Sequence, residues 1–160
     1  MRIYLIGSLR NPQVPVLAQK IRGLGHEVFD DWFAAGYEAD EWWQRYEQDR
    51  GHSYREALAG HAAGHVFQYD RFHLDRCDAG VLLLPAGKSG HMEFGYMIGQ
   101  GKPGWILMPQ EPERWDVMYL FAQGVFTQEA DFLRELDKCR KGRSRKTRRR
   151  RTKPTATSAE

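Results

Sequence analysis

Short apolar runs along the chain alternate with segments whose apolar positions repeat at helical spacing. Residues 3–6 and 79–84 are nearly continuous apolar runs, which is typical of strands buried on both faces of a parallel sheet. Residues 12–24 follow a helical pattern, with Asn11 placed to cap the helix and Pro12 at its first position. The alternation predicts a doubly wound, parallel α/β sheet whose ligands bind beyond the carboxyl ends of the strands.

The same pattern predicts the remaining elements. Further strands are expected at residues 27–30 and 105–108, and further helices at residues 40–50, 53–63, 67–76, 91–99, 114–121 and 128–138. Ser53 and Glu56 have the spacing of a capping box. Trp42 and Trp43 are consecutive on a predicted helix, so at least one of them lies off its buried face.

Charge divides the chain into two unlike parts. Residues 1–137 carry 13 Lys and Arg against 20 Asp and Glu, whereas residues 138–160 carry 11 against one. The net charge of +3 therefore combines a body at −7 with a tail at +10. We expect residues 1–137 to form one domain, and residues 138–160 to form a disordered basic tail with non-specific affinity for nucleic acid.

The cysteine content and the length of the apolar stretches predict the cellular location of the protein. The two cysteines cannot form a disulfide framework, which favours a reducing compartment. The sequence opens on a strand pattern rather than a secretory signal, and no apolar stretch is long enough to span a bilayer. These features predict a cytoplasmic protein without a membrane partner.

Two glycine-containing loops follow the first and third predicted strands. The first contains Gly7, Ser8 and Arg10, which bring a hydroxyl, a guanidinium group and backbone N–H groups to a helix N-terminus. This composition suits an anion such as phosphate, although Arg10 also fits a solvated loop position. The second loop contains Lys88 and Ser89, which offer a second set of anion contacts.

Two carboxylates are placed to meet at this edge of the sheet. Glu93 follows the second loop in the first turn of the predicted helix, where the helix dipole favours the ionised form that a nucleophile or base requires. The alternative is a Glu that only stabilises its helix. Asp70 lies on the helix before the central strand and is a candidate for proton transfer. Asp75 and Asp78 are alternatives, although Asp78 begins the strand and fits a cap or turn position better. Tyr4 is the only polar side chain of its strand, so its hydroxyl requires a partner, either structural or a ligand.

Several common active-site signatures are absent from the sequence. His61 and His65 have i, i+4 spacing, but no third ligand is evident and there is no His-Glu-x-x-His motif, which argues against zinc. The kinase phosphate loop, the dinucleotide-binding glycine motif and the serine-hydrolase elbow are also absent. Kinase-like, dinucleotide-dependent and serine-hydrolase functions therefore lose support.

Three blocks of the sequence carry a family resemblance through their order and spacing. They are Ile3-Tyr4-Leu5-Ile6-Gly7-Ser8-Leu9-Arg10, the segment from Asp70 to Leu84, and Ser89-Gly90-His91-Met92-Glu93-Phe94-Gly95 followed by Gly101-Lys102-Pro103. Together they resemble the nucleoside 2-deoxyribosyltransferases and the related 2'-deoxynucleoside 5'-monophosphate N-glycosidases. The resemblance implies a flavodoxin-like, three-layer α/β fold. It also implies a homo-oligomeric enzyme that breaks or exchanges the N-glycosidic bond of a small-molecule nucleoside or nucleotide, without a metal or organic cofactor.

By the same resemblance, Glu93 is the nucleophile that forms a glycosyl-enzyme, Asp70 assists proton transfer, and Tyr4 orients the nucleophile. The implied substrate-binding residues are Gly7, Ser8, Arg10, Ser89, Gly90 and His91. The Gly-Ser-Leu-Arg loop is more similar to the monophosphate hydrolases, in which Ser and Arg hold the 5'-phosphate, so a nucleotide substrate is favoured. The segment that a neighbouring subunit contributes in the transferases has no clear match; Asp116-Val117-Met118 lies in about the same region.

Two other functions stay open at this point. One is a nucleotide-binding or sensing module without turnover, and the other is a hydrolase of NAD-like ribosylated nucleotides. The aromatic residues between positions 31 and 64 match no block of the family. They either form a base pocket, since nucleobases stack on Trp and Tyr rings, or they pack in the core or a subunit contact.

Overall fold

The computed structural model describes residues 1–112 and 115–151, with side chains up to residue 141. Its centre is an all-parallel, five-stranded sheet in the order β2-β1-β3-β4-β5. The strands are β1 (Arg2–Ile6), β2 (Glu27–Phe29), β3 (Ala79–Leu83), β4 (Gly104–Leu107) and β5 (Gly124–Phe126). This is the flavodoxin-like order, with its switch point between β1 and β3, and the predicted fold class is confirmed.

Helices join or follow these strands throughout the described residues. The α-helices are α1 (Gln13–Gly23), α2 (Ala39–Asp49), α3 (Tyr54–Leu58), α4 (His61–Arg76), α5 (Lys88–Gly99) and α6 (Glu129–Arg151), and 3₁₀ helices span Asp31–Ala35 and Val117–Phe121. At the start of α1, Asn11 Oδ1 accepts the Gln13 N–H at 3.0 Å. The predicted capping box of Ser53 and Glu56 is present at the start of α3.

The helices cover both faces of the sheet and form the three predicted layers. On one face, Ile3 and Leu5 pack with side chains of α1 and α6. On the other face, Tyr4 and Ile6 pack with side chains of α4 and α5. Since alternate residues of a strand point to opposite faces, β1 contributes to both cores, which explains its continuous apolar pattern.

Glycines allow α5 to lie directly on the sheet. A Cβ on Gly90 would lie 3.1 Å from Ile6 Cγ2, and a Cβ on Gly104 of β4 would lie 2.6 Å from Ile98 Cδ1. Both distances are too short for an added side chain without a shift of the neighbours. The close packing brings the first turns of α5 against the carboxyl end of β1.

Several predicted boundaries are wrong. The helix predicted from residue 67 begins at His61, directly after Gly60, whose extended backbone ends the preceding helix (φ −76°, ψ 162°). Helix α5 begins at Lys88 rather than at residue 91, and the region predicted as a helix at 114–121 holds a short 3₁₀ helix. The strand β5 has only three residues and is partly exposed, so it leaves no periodic signal in the sequence.

Helix α6 continues past the domain boundary predicted at residue 137. Its first turns are fixed by Phe132 and Leu136, which are both fully buried. The backbone of the predicted tail is helical as far as Arg151, and residues 152–160 lie outside the described residues; the domain division stays a prediction. In the described part of the chain, no helix combines the length and apolar character needed to cross a membrane.

Candidate active site

Tyr4 and Asp70 connect the central strand to helix α4. Tyr4 is buried in β1, and its hydroxyl donates to Asp70 Oδ1 at 3.5 Å. Burial raises the pKa of Tyr4 far above its usual range, and the Glu93 and Asp70 carboxylates raise it further. The phenol therefore stays protonated and remains a hydrogen-bond donor.

Asp70 lies in an aromatic environment. The Phe29 ring contacts the Tyr4 ring with a centroid separation of 5.0 Å and stacks on the His73 ring at 3.8 Å. Burial raises the pKa of Asp70, while the hydrogen bond from Tyr4 and the nearby His73 partly oppose this rise. Asp70 therefore binds a proton more readily than an exposed Asp, which suits a group that transfers protons.

Glu93 lies in the second turn of α5 and is partly buried. Burial, and secondly the negative charge of Asp70, raise the pKa of Glu93 to about 7. The sequence prediction that Glu93 lies in the first turn of its helix is wrong, because the helix begins earlier, at Lys88. Burial of the carboxylate opposes the ionised form that the helix dipole is expected to favour.

The structure brings Tyr4, Asp70 and Glu93 into electrostatic contact at the carboxyl edge of the sheet. The charge of Asp70 acts on Glu93, and both carboxylates act on Tyr4. Neighbouring carboxyl groups whose pKa values are raised by burial are typical of sites that divide nucleophile and proton-transfer roles.

The loop after β1 holds Arg10 beside two residues of the segment 31–58, Tyr37 and Glu41. The Arg10 guanidinium group forms an ion pair with Glu41 of α2 and lies 5.5 Å from the centroid of the Tyr37 ring. Ser8 Oγ accepts the backbone N–H of Arg10 at 3.1 Å, which leaves the Ser8 hydroxyl proton able to donate. Arg10 is exposed, as the solvated-loop alternative expects, but its charge is balanced by Glu41 within the protein.

Two predicted substrate-binding residues, Ser89 and His91, lie in the first turn of α5 and point in different directions. Ser89 is exposed one turn before Glu93, on the same side of the helix. His91 Nδ1 lies 2.8 Å from the Gly87 carbonyl oxygen, and His91 Nε2 lies 3.0 Å from the Tyr119 hydroxyl. Since a carbonyl can only accept, Nδ1 carries a proton, and in the neutral ring Tyr119 donates to Nε2.

Tyr119, like Glu41, is a residue at this site that the sequence analysis missed. It lies on the 3₁₀ helix Val117–Phe121, 28 positions after His91. Burial, and then the charge of Asp116, raise the pKa of its hydroxyl, which keeps the hydroxyl protonated. The spacing of apolar residues cannot predict a contact between side chains so far apart in sequence. The sequence analysis came closest with Asp116-Val117-Met118, which directly precedes Tyr119. In the structure Asp116 accepts the Met118 N–H at 2.8 Å and caps the helix.

The aromatic segment, defined as residues 31–58, folds onto the carboxyl end of β1. Trp32 Nε1 donates to the Leu5 carbonyl oxygen at 2.9 Å, and its ring would lie 3.7 Å from a Cβ on Gly7. Trp42 is 59% exposed, which confirms that the two consecutive tryptophans do not both face inward. Whether these rings form a base pocket stays a prediction.

The described residues outside this site include no metal-binding group, but they line depressions on the surface. Among the described residues, no group of three or more His, Cys, Asp or Glu side chains could hold a metal ion. At the opposite, amino-terminal edge of the sheet, shallow depressions are lined by Arg2, Glu27 and Arg76. Arg2 and Glu27 form an ion pair there at 2.8 Å, so the positive charge of Arg2 is already balanced within the protein.

The fold defines the chain as a flavodoxin-like α/β protein of the type seen in nucleoside deoxyribosyltransferase-fold proteins. The CMP N-glycosidase BcmB of Clostridium botulinum is similar with a TM-score of 0.53 and 15% identity, over 86% of this chain and 99% of its own. The 2-deoxyribosyltransferase of Bacillus psychrosaccharolyticus is similar with a TM-score of 0.57 and 20% identity, over 83% and 90%. The resemblance indicated by the sequence blocks is thereby confirmed in the fold. No protein-family profile and no curated protein matches the sequence.

Proposed function

We propose that this protein breaks the N-glycosidic bond of a nucleoside or nucleotide and transfers the glycosyl group to water or to a second base. Glu93 is the nucleophile. The proposal rests on the electrostatic coupling of Tyr4, Asp70 and Glu93 at the ligand-binding edge of the sheet. The similarity of the fold to an N-glycosidase and to a deoxyribosyltransferase adds support.

The proposed reaction consists of two displacements at the anomeric carbon. In the first, the ionised Glu93 carboxylate forms a bond to C1' while the C1'–N bond breaks. The Asp70–Glu93 pair enters this step carrying one proton; with Glu93 ionised, that proton lies on Asp70 and passes to the departing base, which keeps the electron pair. In the second, water or another base attacks C1', the bond to Glu93 breaks, and the Asp70 carboxylate accepts the proton that the attacking group loses. Two displacements retain the configuration, as in retaining glycosidases.

Tyr4 has a positioning role in this scheme. Its buried hydroxyl donates to Asp70, and because its pKa is raised it stays neutral beside two carboxylates. A neutral donor can fix the orientation of a carboxylate without adding a third negative charge to the site. Asp70 is therefore held ready to exchange a proton with the base or with the attacking group.

The test is a panel of 2'-deoxynucleosides, ribonucleosides and their 5'-monophosphates, each incubated with and without an acceptor base. Chromatography is expected to show a free base or an exchanged nucleoside with at least one donor. No product from any donor at high enzyme concentration contradicts the proposal. Calorimetric binding without product would instead favour a nucleotide-binding module, and activity confined to NAD-like donors would favour a hydrolase of ribosylated nucleotides.

We also propose that the protein forms a homo-oligomer. Large apolar side chains are exposed around the 3₁₀ helix Val117–Phe121: Trp115 at 79%, Leu120 at 87% and Phe121 at 66%. Apolar groups exposed together are typical of a protein–protein interface. Tyr119 of the same helix contacts His91, so this interface borders the proposed site. Light scattering should give a dimer or larger assembly, and Leu120→Asp should shift it towards the monomer.

A further inference from the structure

The Arg10–Glu41 ion pair sets the charge of the loop that the sequence marks as an anion site. Glu41 lies in the first turn of α2, 31 residues from Arg10, and its Oε1 faces the Arg10 guanidinium group. Tyr37 adds a ring contact to the same guanidinium group. The cation that would bind a substrate phosphate is therefore already matched by a carboxylate of the protein.

The second oxygen of Glu41 is also informative. The Glu41 side chain is 39% exposed as a whole, but its Oε2 atom is shielded from solvent and has no hydrogen-bond partner among the described residues. A buried acceptor without a donor is costly, so a ligand that brings a donor gains affinity there. A free hydroxyl group brings such a donor, whereas a phosphate dianion does not.

We propose that Glu41 is a specificity-determining residue that selects a glycosyl donor with a free hydroxyl group at this loop and rejects a 5'-phosphate. The inference rests on the proposed function for the identity of the reacting bond. The sequence of the loop Gly7-Ser8-Leu9-Arg10 favours a nucleotide substrate, whereas this proposal favours a nucleoside.

The charge balance explains the direction of selection. A 5'-phosphate at Arg10 would have to displace Glu41 or lie beside its carboxylate, and like charges brought together oppose binding. A 5'-hydroxyl group carries no charge and can donate to Glu41 Oε2 while the Arg10–Glu41 pair stays intact.

Glu41→Gln tests the proposal because it removes the charge and keeps the shape. For the base that reacts fastest, kcat/KM is measured for the 2'-deoxynucleoside and for its 5'-monophosphate. The wild-type protein should prefer the nucleoside, and Glu41→Gln should raise the monophosphate-to-nucleoside ratio about tenfold or more. Adding Arg10→Gln to Glu41→Gln should remove that gain, because the freed guanidinium group provides it.

Glu38→Gln is the matched control. Glu38 is an exposed carboxylate just before α2, so its substitution makes the same charge change nearby and should leave the ratio unchanged. An NMR titration with 2-deoxyribose and 2-deoxyribose 5-phosphate measures the same selectivity without turnover. Glu41→Gln should strengthen binding of the phosphorylated sugar relative to the neutral one.

The outcomes separate this proposal from the proposed function. Turnover of the monophosphate at least as fast as of the nucleoside by the wild-type protein, or an unchanged ratio in Glu41→Gln, overturns the role of Glu41 while the glycosidic activity stands. Absence of all turnover overturns the proposed function, and the sugar titration then still decides whether Glu41 excludes phosphate.

Discussion

The carboxyl edge of the sheet and the aromatic segment form two sides of the candidate site by different means. At the sheet edge, Tyr4 and its strand are held by two hydrophobic cores. The aromatic segment packs only Trp32 and Phe33 against a core, while Glu41 is attached through its ion pair with Arg10 and Trp42 stays largely exposed. The proposed selectivity residue therefore lies where single polar contacts, rather than core packing, attach the segment.

The largest expected effect is the loss of activity in Glu93→Gln. If the sheet edge supplies the chemistry, removal of the nucleophile should lower the rate roughly a thousandfold or more. The fold should be unchanged by circular dichroism, because a side chain of the same size remains. A rate close to wild type would move the nucleophile away from Glu93; Glu38→Gln, in the aromatic segment, serves as the charge-matched control.

The same substitution should stabilise the protein in a pH-dependent way. The pKa of Glu93 is raised from 4.5 to about 7 by burial. Its contribution to folding is therefore fully present below pH 4.5 and is lost as the pH rises through 7. Glu93→Gln should match the wild-type free energy of unfolding at pH 4.5 and exceed it by about 2–3 kcal/mol at pH 8, measured by urea denaturation. An equal difference at both pH values would show that Glu93 is not desolvated as described.

Tyr4→Phe should have a smaller effect on activity and a characteristic effect on its pH dependence. The ring stays in the core, but Asp70 loses the hydrogen bond that opposes the rise of its pKa. We expect kcat to fall about tenfold and the limb of the pH–rate profile assigned to Asp70 to move to higher pH. Tyr46→Phe, at an exposed position of α2, should change neither; an unshifted profile in Tyr4→Phe would remove the positioning role.

The smallest effects concern how the aromatic segment is attached. Trp32→Phe removes the donor to the Leu5 carbonyl oxygen and should lower the free energy of unfolding by about 1 kcal/mol. Trp42→Phe, at a ring that is 59% exposed, should change it by less than about 0.5 kcal/mol. Thermal denaturation gives the free energy of unfolding of both variants. Equal decreases in the two would show that the Trp32 hydrogen bond does not stabilise the attachment of the segment.

The sheet could be predicted from sequence because its signal is local. The apolar runs at residues 3–6 and 79–84 define β1 and β3, and their loops carry Arg10 and Glu93 to one edge. The predicted meeting of Tyr4, Asp70 and Glu93 follows from this topology, aided by the family resemblance.

The partners of those residues could not be predicted in the same way. Arg10 with Glu41 and His91 with Tyr119 are pairs 31 and 28 residues apart, and no repeat in the sequence gives their register. The raised pKa of Glu93 could not be predicted from sequence either, because it depends on how far α5 and its neighbours exclude water from the carboxylate. Sequence therefore indicated which groups are present, but not their partners or the effect of burial on the pKa of Glu93.

The position of β1 inside the sheet has a consequence for synthesis. This apolar strand pairs with β2 on one side and with β3 on the other, but β3 follows much later in the chain. At roughly 5–20 residues per second, a ribosome needs several seconds to pass from Phe29 to Ala79. During that time the second edge of β1 has no partner strand and is open to aggregation. The nascent chain is therefore expected to depend on chaperone protection until Ala79–Leu83 has emerged.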